Sequence, residues 1–306
     1  MSKPLIFATR ASALALTQTR WVIQSLKNSH PGLVCEEKVI QTQGDRITDK
    51  PLPEIGGKGL FTLELENELL AGSVDCAVHS LKDLPVEDHP GLLVGCVPIR
   101  TDARDVIISA RGYTFSSLPE GAHVGTSSTR RAAQILAARP DIVIESLRGN
   151  VDTRLQKALD NQYDAVVLAG AGLIRLNLDA HITEWISFET MLPDPGQGAL
   201  AIQCRADDKT TLEYLAALED IPTRKTVTAE RQFLSSLGGG CSLPIAAYAT
   251  VDHEITLTGL VATPDGTRLI KVSGSGNDPE ELGARLAKDA ISQGANDILN
   301  PHPTDP

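Results

Sequence analysis

A single cysteine lies directly behind three glycines, in the stretch GGGCSLPI at residues 238–245. Glycine loses more backbone freedom on folding than any other residue, so three in succession indicate a backbone shape, or a close approach, that a side chain would block. A thiol can act as a nucleophile or as a covalent anchor when its thiolate form is favoured. Cys241 is therefore either the attachment point of a group that lies against the glycines or a buried, inert cysteine.

Positively charged residues recur where predicted strands end and helices begin, although the net charge of the chain is −11. In open α/β sheets ligands bind beyond the carboxyl ends of the strands, where helix N-termini add N–H donors. Arginine suits carboxylates and phosphates in particular, because its planar fork matches them. We expect these cations to converge on a cleft between two domains and to bind an anion with several charges. They are Arg10, Lys82, Arg130, Arg131, Arg148, Arg154 and Arg175.

One acidic residue stands among these cations. Asp83 follows Lys82 after the predicted strand DCAVHS, and nearby positive charge favours the ionised form of its carboxyl group. Such a carboxylate can stabilise a cationic intermediate or move protons; the alternative is a plain ion pair. We expect His79, in the preceding strand, to be a packed histidine, and the scattered histidines indicate no metal site.

Two glycine-containing stretches resemble nucleotide-binding loops without matching them. In GGKGL, Gly59 stands where Ser or Thr follows the lysine of a P-loop, and GAGLIRL does not have the GxGxxG spacing. The stretch GTSST at 125–129 offers donors at a helix start, but it also suits an ordinary helix N-cap. Nucleotide binding is thus poorly supported, and polycarboxylate binding remains open.

The elements that must position these residues alternate short apolar runs with helical patterns, which is typical of α/β domains with a parallel sheet and crossover helices. A first lobe is predicted at 1–98 and 199–218, because MLPDPGQGALAIQCR reads as a hinge into a strand that returns to the first sheet. The second lobe covers 104–193. Strands in hairpins followed by a helix predict a small α+β domain at 222–306, which carries Cys241.

Residues 42–59, TQGDRITDKPLPEIGGKG, show neither helical nor strand periodicity. An irregular stretch of this length inside a compact domain is usually a functional lid or disordered. We interpret it as a mobile flap rather than a plain surface loop.

The charge, the apolar runs and the cysteines of the chain argue against several classes of protein. The acidic balance argues against general nucleic-acid binding, and no apolar run approaches the ~18 residues that a membrane span needs. Arg10 interrupts the first apolar stretch, so a signal peptide is not predicted. Five cysteines without a CxxC pair favour neither a disulfide framework nor a zinc site. We therefore expect a cytoplasmic protein.

Taken together, the motifs resemble those of the porphobilinogen deaminase, or hydroxymethylbilane synthase, family. The matching stretches, in the order and spacing of that family, are ATRASALALTQT, IGGKGLFTLELE, DCAVHSLKDLP, VGTSSTRRAAQI, LRGNVDTRL, LAGAGLIRL, LPDPGQGALAIQCR, TAERQFL and GGGCSLPI. The resemblance implies an α/β fold of two domains like the lobes of periplasmic binding proteins, plus the small C-terminal α+β domain. It also implies a monomer.

The activity that the resemblance implies is that of a transferase of tetrapyrrole and haem biosynthesis. Its substrate is porphobilinogen, a pyrrole with acetate and propionate side chains. Four units lose ammonia and are joined head to tail onto a dipyrromethane cofactor, and water releases linear hydroxymethylbilane. The cofactor would be bound to Cys241 through a thioether, and the glycines would leave room for it. Every added unit brings two more carboxylates, which accounts for the cations.

The same resemblance implies roles for individual residues. Asp83 would be the catalytic aspartate, and Lys58 would lie on the flap. Glu54 and Leu63 stand where many members of the family have lysine, which weakens the positive charge expected of the flap. The residues implied to bind the cofactor are Cys241, Ser12, Lys82, Asp83, Thr126, Ser128, Arg130, Arg131, Arg148 and Gly172. Those implied to bind the substrate are Arg10, Gln18, Lys58, Arg148, Arg154, Arg175 and Gln197.

Two other classes of protein are compatible with parts of this pattern. A non-enzymatic two-lobed anion-binding receptor or sensor module would share the architecture, but it needs neither Cys241 nor Asp83. A thiol-dependent acyl transferase would need a histidine partner for the cysteine, and the sequence indicates none.

Overall fold

A computed structural model describes residues 3–46, 62–239 and 243–300 of the chain. The chain divides into two compact units. The first unit comprises Met1–Thr101 with Ala199–Arg224, and the second comprises Asp102–Gly198 with Lys225–Pro306. Each unit therefore combines segments that are distant in the sequence.

Three sheets and a set of mostly short helices make up the described residues. The strands are β1 (Leu5–Arg10), β2 (Cys35–Ile40), β3 (Cys76–Ser80), β4 (Leu92–Cys96), β5 (Asp105–Ile108), β6 (His123–Gly125), β7 (Val143–Glu145), β8 (Ala165–Ala169), β9 (Glu184–Trp185), β10 (Leu200–Arg205), β11 (Ile245–Val251), β12 (Ile255–Ala262) and β13 (Leu269–Gly276). The helices are α1 (Ala13–Ser29), α2 (Gln43–Arg46), α3 (Leu63–Leu70), α4 (Thr129–Ala138), α5 (Val151–Leu159), α6 (Gly170–Arg175), α7 (Lys209–Leu215), α8 (Ile221–Ser236), α9 (Pro279–Ser292) and α10 (Ala295–Leu299).

The first unit is built around a five-stranded sheet in the order β2-β1-β3-β10-β4. β1 pairs in parallel with β2 and β3, whereas β10 runs antiparallel to β3 and β4. The late strand therefore returns to the first sheet, as the sequence suggests, but it makes that sheet mixed rather than parallel. Phe7, Val22 and Ile202 lie in the core that packs α1 against the sheet.

The second unit contains a five-stranded sheet in the order β7-β6-β8-β5-β9. β6 pairs in parallel with β7 and β8, and β5 runs antiparallel to β8 and β9. Side chains on β5 alternate between two buried clusters, with Ile107 in one and Val106 and Ile108 in the other. The sheet is thus buried on both faces, which is why its strands are apolar throughout.

A three-stranded antiparallel sheet, β11-β12-β13, completes the second unit. α8 and α9 lie close together at Gly283, where a Cβ atom would be 2.5 Å from the carbonyl oxygen of Ala229. The ring of Phe188, which follows β9, stacks on Tyr248 of β11 with centroids 3.8 Å apart. The stacking contact joins the C-terminal sheet to the segment that follows β9 of the second α/β sheet.

The prediction of an α/β fold with a small antiparallel α+β part at the C-terminus is confirmed. β4 and the two-residue β9 were not predicted. The expectation of parallel sheets is wrong in part, since β10 and β5 run against their neighbours. Sequence periodicity reports burial of a strand but not its direction.

Candidate active site

Strands β1 and β3 are parallel neighbours, so their carboxyl ends meet at one edge of the first sheet. Arg10 is the last residue of β1. Ser12 caps α1, and its hydroxyl oxygen accepts a hydrogen bond from the backbone N–H of Ala15 at 3.3 Å. Gln18 is buried on α1 and donates from Nε2 to Ser80 Oγ at 3.0 Å, at the end of β3. Three predicted site residues therefore lie at this edge.

The turn that carries Lys82 and Asp83 follows β3 directly, as a single turn of 3₁₀ helix over Leu81–Asp83. Leu81 and Leu84 are buried, and the Leu81 N–H donates to the carbonyl of Ala199 at 3.0 Å. Lys82 is half-buried and Asp83 is exposed. The buried leucines fix the turn in place while the Asp83 carboxylate stays accessible to a ligand.

His79 lies just before this turn and is buried. Burial lowers the pKa of its imidazole to about 4; the neighbouring Gln203 side chain opposes this shift and the charge of Arg10 adds to it. The ring is therefore neutral at neutral pH. The expectation of a packed histidine, not an acid–base group, is consistent with this environment.

The parallel strands β6, β7 and β8 likewise end at one edge of the second sheet. Ser128 caps α4, and its Oγ accepts from the N–H of Arg131 at 3.4 Å. Thr126 Oγ1 accepts from the N–H of Ser128 at 3.2 Å. Ser127, which the sequence did not single out, bonds both the carbonyl and the N–H of Leu147, at 2.7 and 3.0 Å. These hydroxyls shape the loop that leads into the arginine pair.

Arg130 and Arg131 are both buried, and they share one carboxylate. Arg131 donates from Nε and NH2 to Asp105 Oδ1, at 3.1 and 2.8 Å. Arg130 NH1 lies 2.8 Å from Asp105 Oδ2 and 2.5 Å from the carbonyl oxygen of Leu192. Burial alone would raise the pKa of Asp105, but the two guanidinium groups hold it well below its usual value. The group is thus an ion triad with one more positive than negative charge.

Gln197 belongs to the same buried cluster. Its side-chain Nε2 donates to Asp105 Oδ1 and to the carbonyl oxygen of Ala103, both at 2.8 Å. Gln197, which was predicted to bind substrate, therefore holds the carboxylate that pairs with the two arginines.

The remaining predicted residues of the second sheet follow β7 and β8. Arg154, in the first turn of α5, donates from Nε to the carbonyl of Gly149 at 2.6 Å, and Arg148 is half-buried before this helix. Gly172 is buried in α6. Arg175, at the end of α6, donates to the carbonyl of Gly198 at 2.7 Å. Burial lowers its pKa to about 10, which still leaves it a cation at neutral pH.

The glycines before Cys241 have a structural explanation in part. α8 ends at Ser236, and the N–H of Gly239 donates to the carbonyl of Leu234, while that of Gly238 donates to Ser235. This is the hydrogen-bond pattern of a Schellman helix end, and Gly238 takes the left-handed conformation that it requires, with φ at 79°. The interpretation that these two glycines leave room for a bound group is therefore not needed. Gly240 lies outside the described residues.

Three sequence predictions fall on parts of the chain that the structure does not describe. Cys241, Lys58 and Glu54 lie outside the described residues, as does the predicted flap beyond Arg46. Leu63, the other departure from the family pattern, is exposed at the start of α3. The described candidate residues therefore lie at two sheet edges, one in each unit.

The donor set at the second sheet fits a group rich in carboxylates. Two buried guanidinium groups face a single carboxylate, and Arg130 Nε has no hydrogen-bond partner among the described residues. Within that same part of the chain, no group of three or more His, Cys, Asp or Glu side chains could hold a metal ion. None of the described helices is both long and apolar enough to cross a bilayer.

Comparison with known proteins assigns the family. A family model described as "Porphobilinogen deaminase, dipyromethane cofactor binding domain" matches residues 5–213, and one described as "Porphobilinogen deaminase, C-terminal domain" matches residues 224–292. The chain belongs to the porphobilinogen deaminase family. Its predicted enzyme class and its dipyrromethane-binding domain are thereby confirmed, and the receptor alternative is not favoured.

Full-length relatives support this assignment. The chain is 53% identical to the porphobilinogen deaminase of Brevibacillus brevis, with 95% of each chain covered. It is 49% identical to that of a Geobacillus species, with 97% of each covered, and 47% identical to that of Bacillus subtilis, with 98% and 96% covered. A solved substrate binding domain of a putative molybdenum ABC transporter from Clostridium difficile gives a TM-score of 0.46 at 13% identity, covering 75% of this chain and 97% of that one. That likeness is too weak to carry an argument.

Proposed function

We propose that the chain deaminates porphobilinogen and joins four units head to tail onto a dipyrromethane held by Cys241 through a thioether, so that hydroxymethylbilane is released by water. The observation that carries this proposal is the position of the cations and of Asp83. They follow the carboxyl ends of parallel strands in two different sheets, where α/β folds bind ligands. When bound, the dipyrromethane supplies the pyrrole carbon onto which the units are joined.

Asp83 is the catalytic residue in this proposal. Loss of ammonia from porphobilinogen leaves an azafulvene cation conjugated with the pyrrole N–H. An exposed carboxylate held by two buried leucines can stand beside that nitrogen and stabilise the cation without reorganising. The same carboxylate can accept the proton that is lost when the next bond between pyrroles forms.

The cations bind the acetate and propionate groups of the cofactor and the substrate. Each hydrogen bond to a carboxylate contributes about 1.5–3 kcal/mol, so several arginines suffice to hold a growing polyacid. Arg175 is a favourable example, because its guanidinium group is already partly desolvated and a carboxylate would compensate that cost. The residues assigned to this role are Arg10, Ser12, Gln18, Lys58, Lys82, Thr126, Ser128, Arg130, Arg131, Arg148, Arg154, Gly172, Arg175 and Gln197.

The proposed domain division is that of the sequence: 1–98 with 199–218, 104–193, and 222–306. Three separate sheets support it. We further propose that the protein acts as a monomer in the cytoplasm, that residues 42–59 form a flap carrying Lys58, and that neither nucleic acid nor membrane is a partner.

Incubation of the purified protein with porphobilinogen tests the function. We expect one ammonia molecule to be released per porphobilinogen consumed and one linear tetrapyrrole to appear per four. Consumption without ammonia, or no consumption by folded protein, would contradict the proposal.

A further inference from the structure

Asp105 has no role in the function proposed above, yet it is the point where several site elements meet. It is the first residue of β5 and is completely buried. Its register partner on β8 is Ala169, the residue directly before α6 with Gly172 and Arg175. The residue before it, Arg104, accepts a backbone hydrogen bond from Gly170 at 3.0 Å. Asp105 therefore stands between α4 with its arginines and the start of α6.

The carboxylate of Asp105 fixes both arginines in one orientation. Arg131 meets Oδ1 through two of its nitrogens, and its NH1 donates to the carbonyl of Val167 at 3.1 Å, so its fork is held on two sides. Arg130 NH1 donates to the carbonyl of Leu192 and forms an ion pair with Oδ2 at 2.8 Å, while Oδ2 and Arg130 Nε have no hydrogen-bond partner in the described chain. Asp105 thus pairs with some nitrogens of the two arginines and leaves the Nε of Arg130 available to a ligand.

The charge of the cluster is incomplete. Two buried guanidinium groups and one buried carboxylate leave a surplus of one positive charge, and Gln197 adds a neutral donor. A buried charge that is not compensated is costly, so the arrangement favours an anion beside the pair. Asp105 itself stays ionised, because the arginines hold its pKa well below the usual value of an aspartate against the opposing effect of burial.

We propose that Asp105 is a positioning residue for carboxylate binding: it orients Arg130 and Arg131 and neutralises only one of them, so that a carboxylate of the dipyrromethane or of the substrate compensates the other. This inference rests on the proposed function, since it assigns that pair to the acidic side chains of the pyrroles. Asp105 does not touch the ligand and acts only through the arginines and Gln197.

The test compares Asp105→Asn with Asp75→Asn. Asp75 is a matched control because it is also a buried aspartate paired with an arginine: its Oδ1 lies 3.1 Å from Arg205 NH2, and its Oδ2 accepts from the N–H of Ile6. It belongs to the first unit, and these two partners of its side chain, Ile6 and Arg205, are not among the proposed ligand-binding residues. Each variant is expressed in cells that make porphobilinogen. Intact-protein mass then gives the fraction of chains that carry a two-pyrrole adduct, and the melting temperature is measured.

We expect both variants to melt at lower temperature than the parent chain, and only Asp105→Asn to lose most of its adduct. In the adduct-bearing fraction of Asp105→Asn, KM for porphobilinogen should rise about tenfold while kcat changes far less, because carboxylate binding and not chemistry is impaired. If Asp105→Asn keeps the adduct fraction and the KM of the control, the residue is merely structural and the inference is wrong. A parent chain without any adduct would instead refute the proposed function.

A second variant keeps the test decisive if Asp105→Asn does not fold. Gln197→Met removes one donor to Asp105 Oδ1 without changing the charge of the cluster. We expect its KM to rise by roughly threefold, because the carboxylate is then held less rigidly. An unchanged KM and adduct fraction in folded Gln197→Met would overturn the proposal.

Discussion

Gln18 and Ser80 are 62 residues apart in the sequence, yet Gln18 Nε2 donates to Ser80 Oγ at 3.0 Å. The bond joins α1 to the last residue of β3, directly before the turn that carries Asp83. Because Gln18 is buried, this contact also satisfies an amide that water cannot reach. A side chain predicted to bind substrate thus holds the end of β3, next to the turn with the proposed catalytic residue Asp83.

The Gln18–Ser80 contact can be measured by a double-mutant cycle. Gln18→Leu leaves the Ser80 hydroxyl without this donor, and we expect a loss of about 1–3 kcal/mol in the free energy of unfolding. The double variant Gln18→Leu/Ser80→Ala should lose less stability than the sum of the losses of the two single variants, because both partners are then gone. Urea unfolding gives the three values. Strict additivity would show that the two side chains do not interact.

Asp83→Asn should lower kcat by about 10²–10³-fold, because the amide cannot stabilise a developing cation as a carboxylate does. The fold should be unaffected, since Asp83 is exposed. Asp88→Asn, an equally exposed change five positions further along, is the control and should keep the parent rate. If Asp83→Asn also retains that rate, Asp83 has no part in the chemistry.

Arg154→Gln removes one of the proposed carboxylate-binding cations from the first turn of α5. We expect KM for porphobilinogen to rise about tenfold or more, because a hydrogen bond between a guanidinium group and a carboxylate of the substrate is lost. Arg20→Gln removes the same charge from α1, where Arg20 is exposed and pairs with Glu37, and should leave KM unchanged.

Ionic strength provides an independent test of the attraction between these cations and the carboxylates of the substrate. Raising the ionic strength from 0.1 to 1 M shortens the screening length from about 10 to about 3 Å. KM of the parent chain should therefore rise with salt, and that of Arg154→Gln should rise less steeply. A KM that is independent of salt would contradict carboxylate binding by these cations.

The stability of the protein should depend on His79 in weakly acidic solution. Burial holds the pKa of His79 at about 4 in the folded state, below the value of about 6.5 expected when the chain unfolds. A depressed pKa contributes stability that is complete above the unfolded value and is lost as the pH falls towards the folded one. Between pH 6.5 and 4 the free energy of unfolding should therefore fall by about 3 kcal/mol on account of this residue.

His79→Gln tests that dependence, with His253→Gln as the control because His253 is almost fully exposed. Only the first variant should flatten the decline of stability between pH 6.5 and 4. Equal pH profiles for the parent and His79→Gln would mean that His79 titrates normally in the folded protein.

Several features of the site were predictable because they depend on local sequence. Short apolar runs mark the buried strands, and residues that follow them reach the same sheet edge, which is how Arg10, Lys82 and Asp83 were found. Ser128 was recognisable as an N-cap from its place before a helix.

Other features depend on long-range pairing, which no local pattern shows. Asp105 meets Arg131 only because β5 runs antiparallel beside β8, and strand direction leaves no trace in periodicity. For the same reason the supporting contact of Gln197 was not foreseen. At Gly238 and Gly239 the backbone shape that the sequence suggested is the end of a helix, which explains these two glycines without a ligand.

The central claim is that a polyacidic pyrrole chain is bound to Cys241 and held by the cations of the two sheet edges. Intact-protein mass spectrometry tests it most directly, on the parent chain and on Cys241→Ser, both expressed in cells that make porphobilinogen. We predict that the parent chain is heavier than its sequence by two pyrrole units and that Cys241→Ser has its unmodified mass. An unmodified parent chain, or an adduct that persists in Cys241→Ser, would contradict the claim.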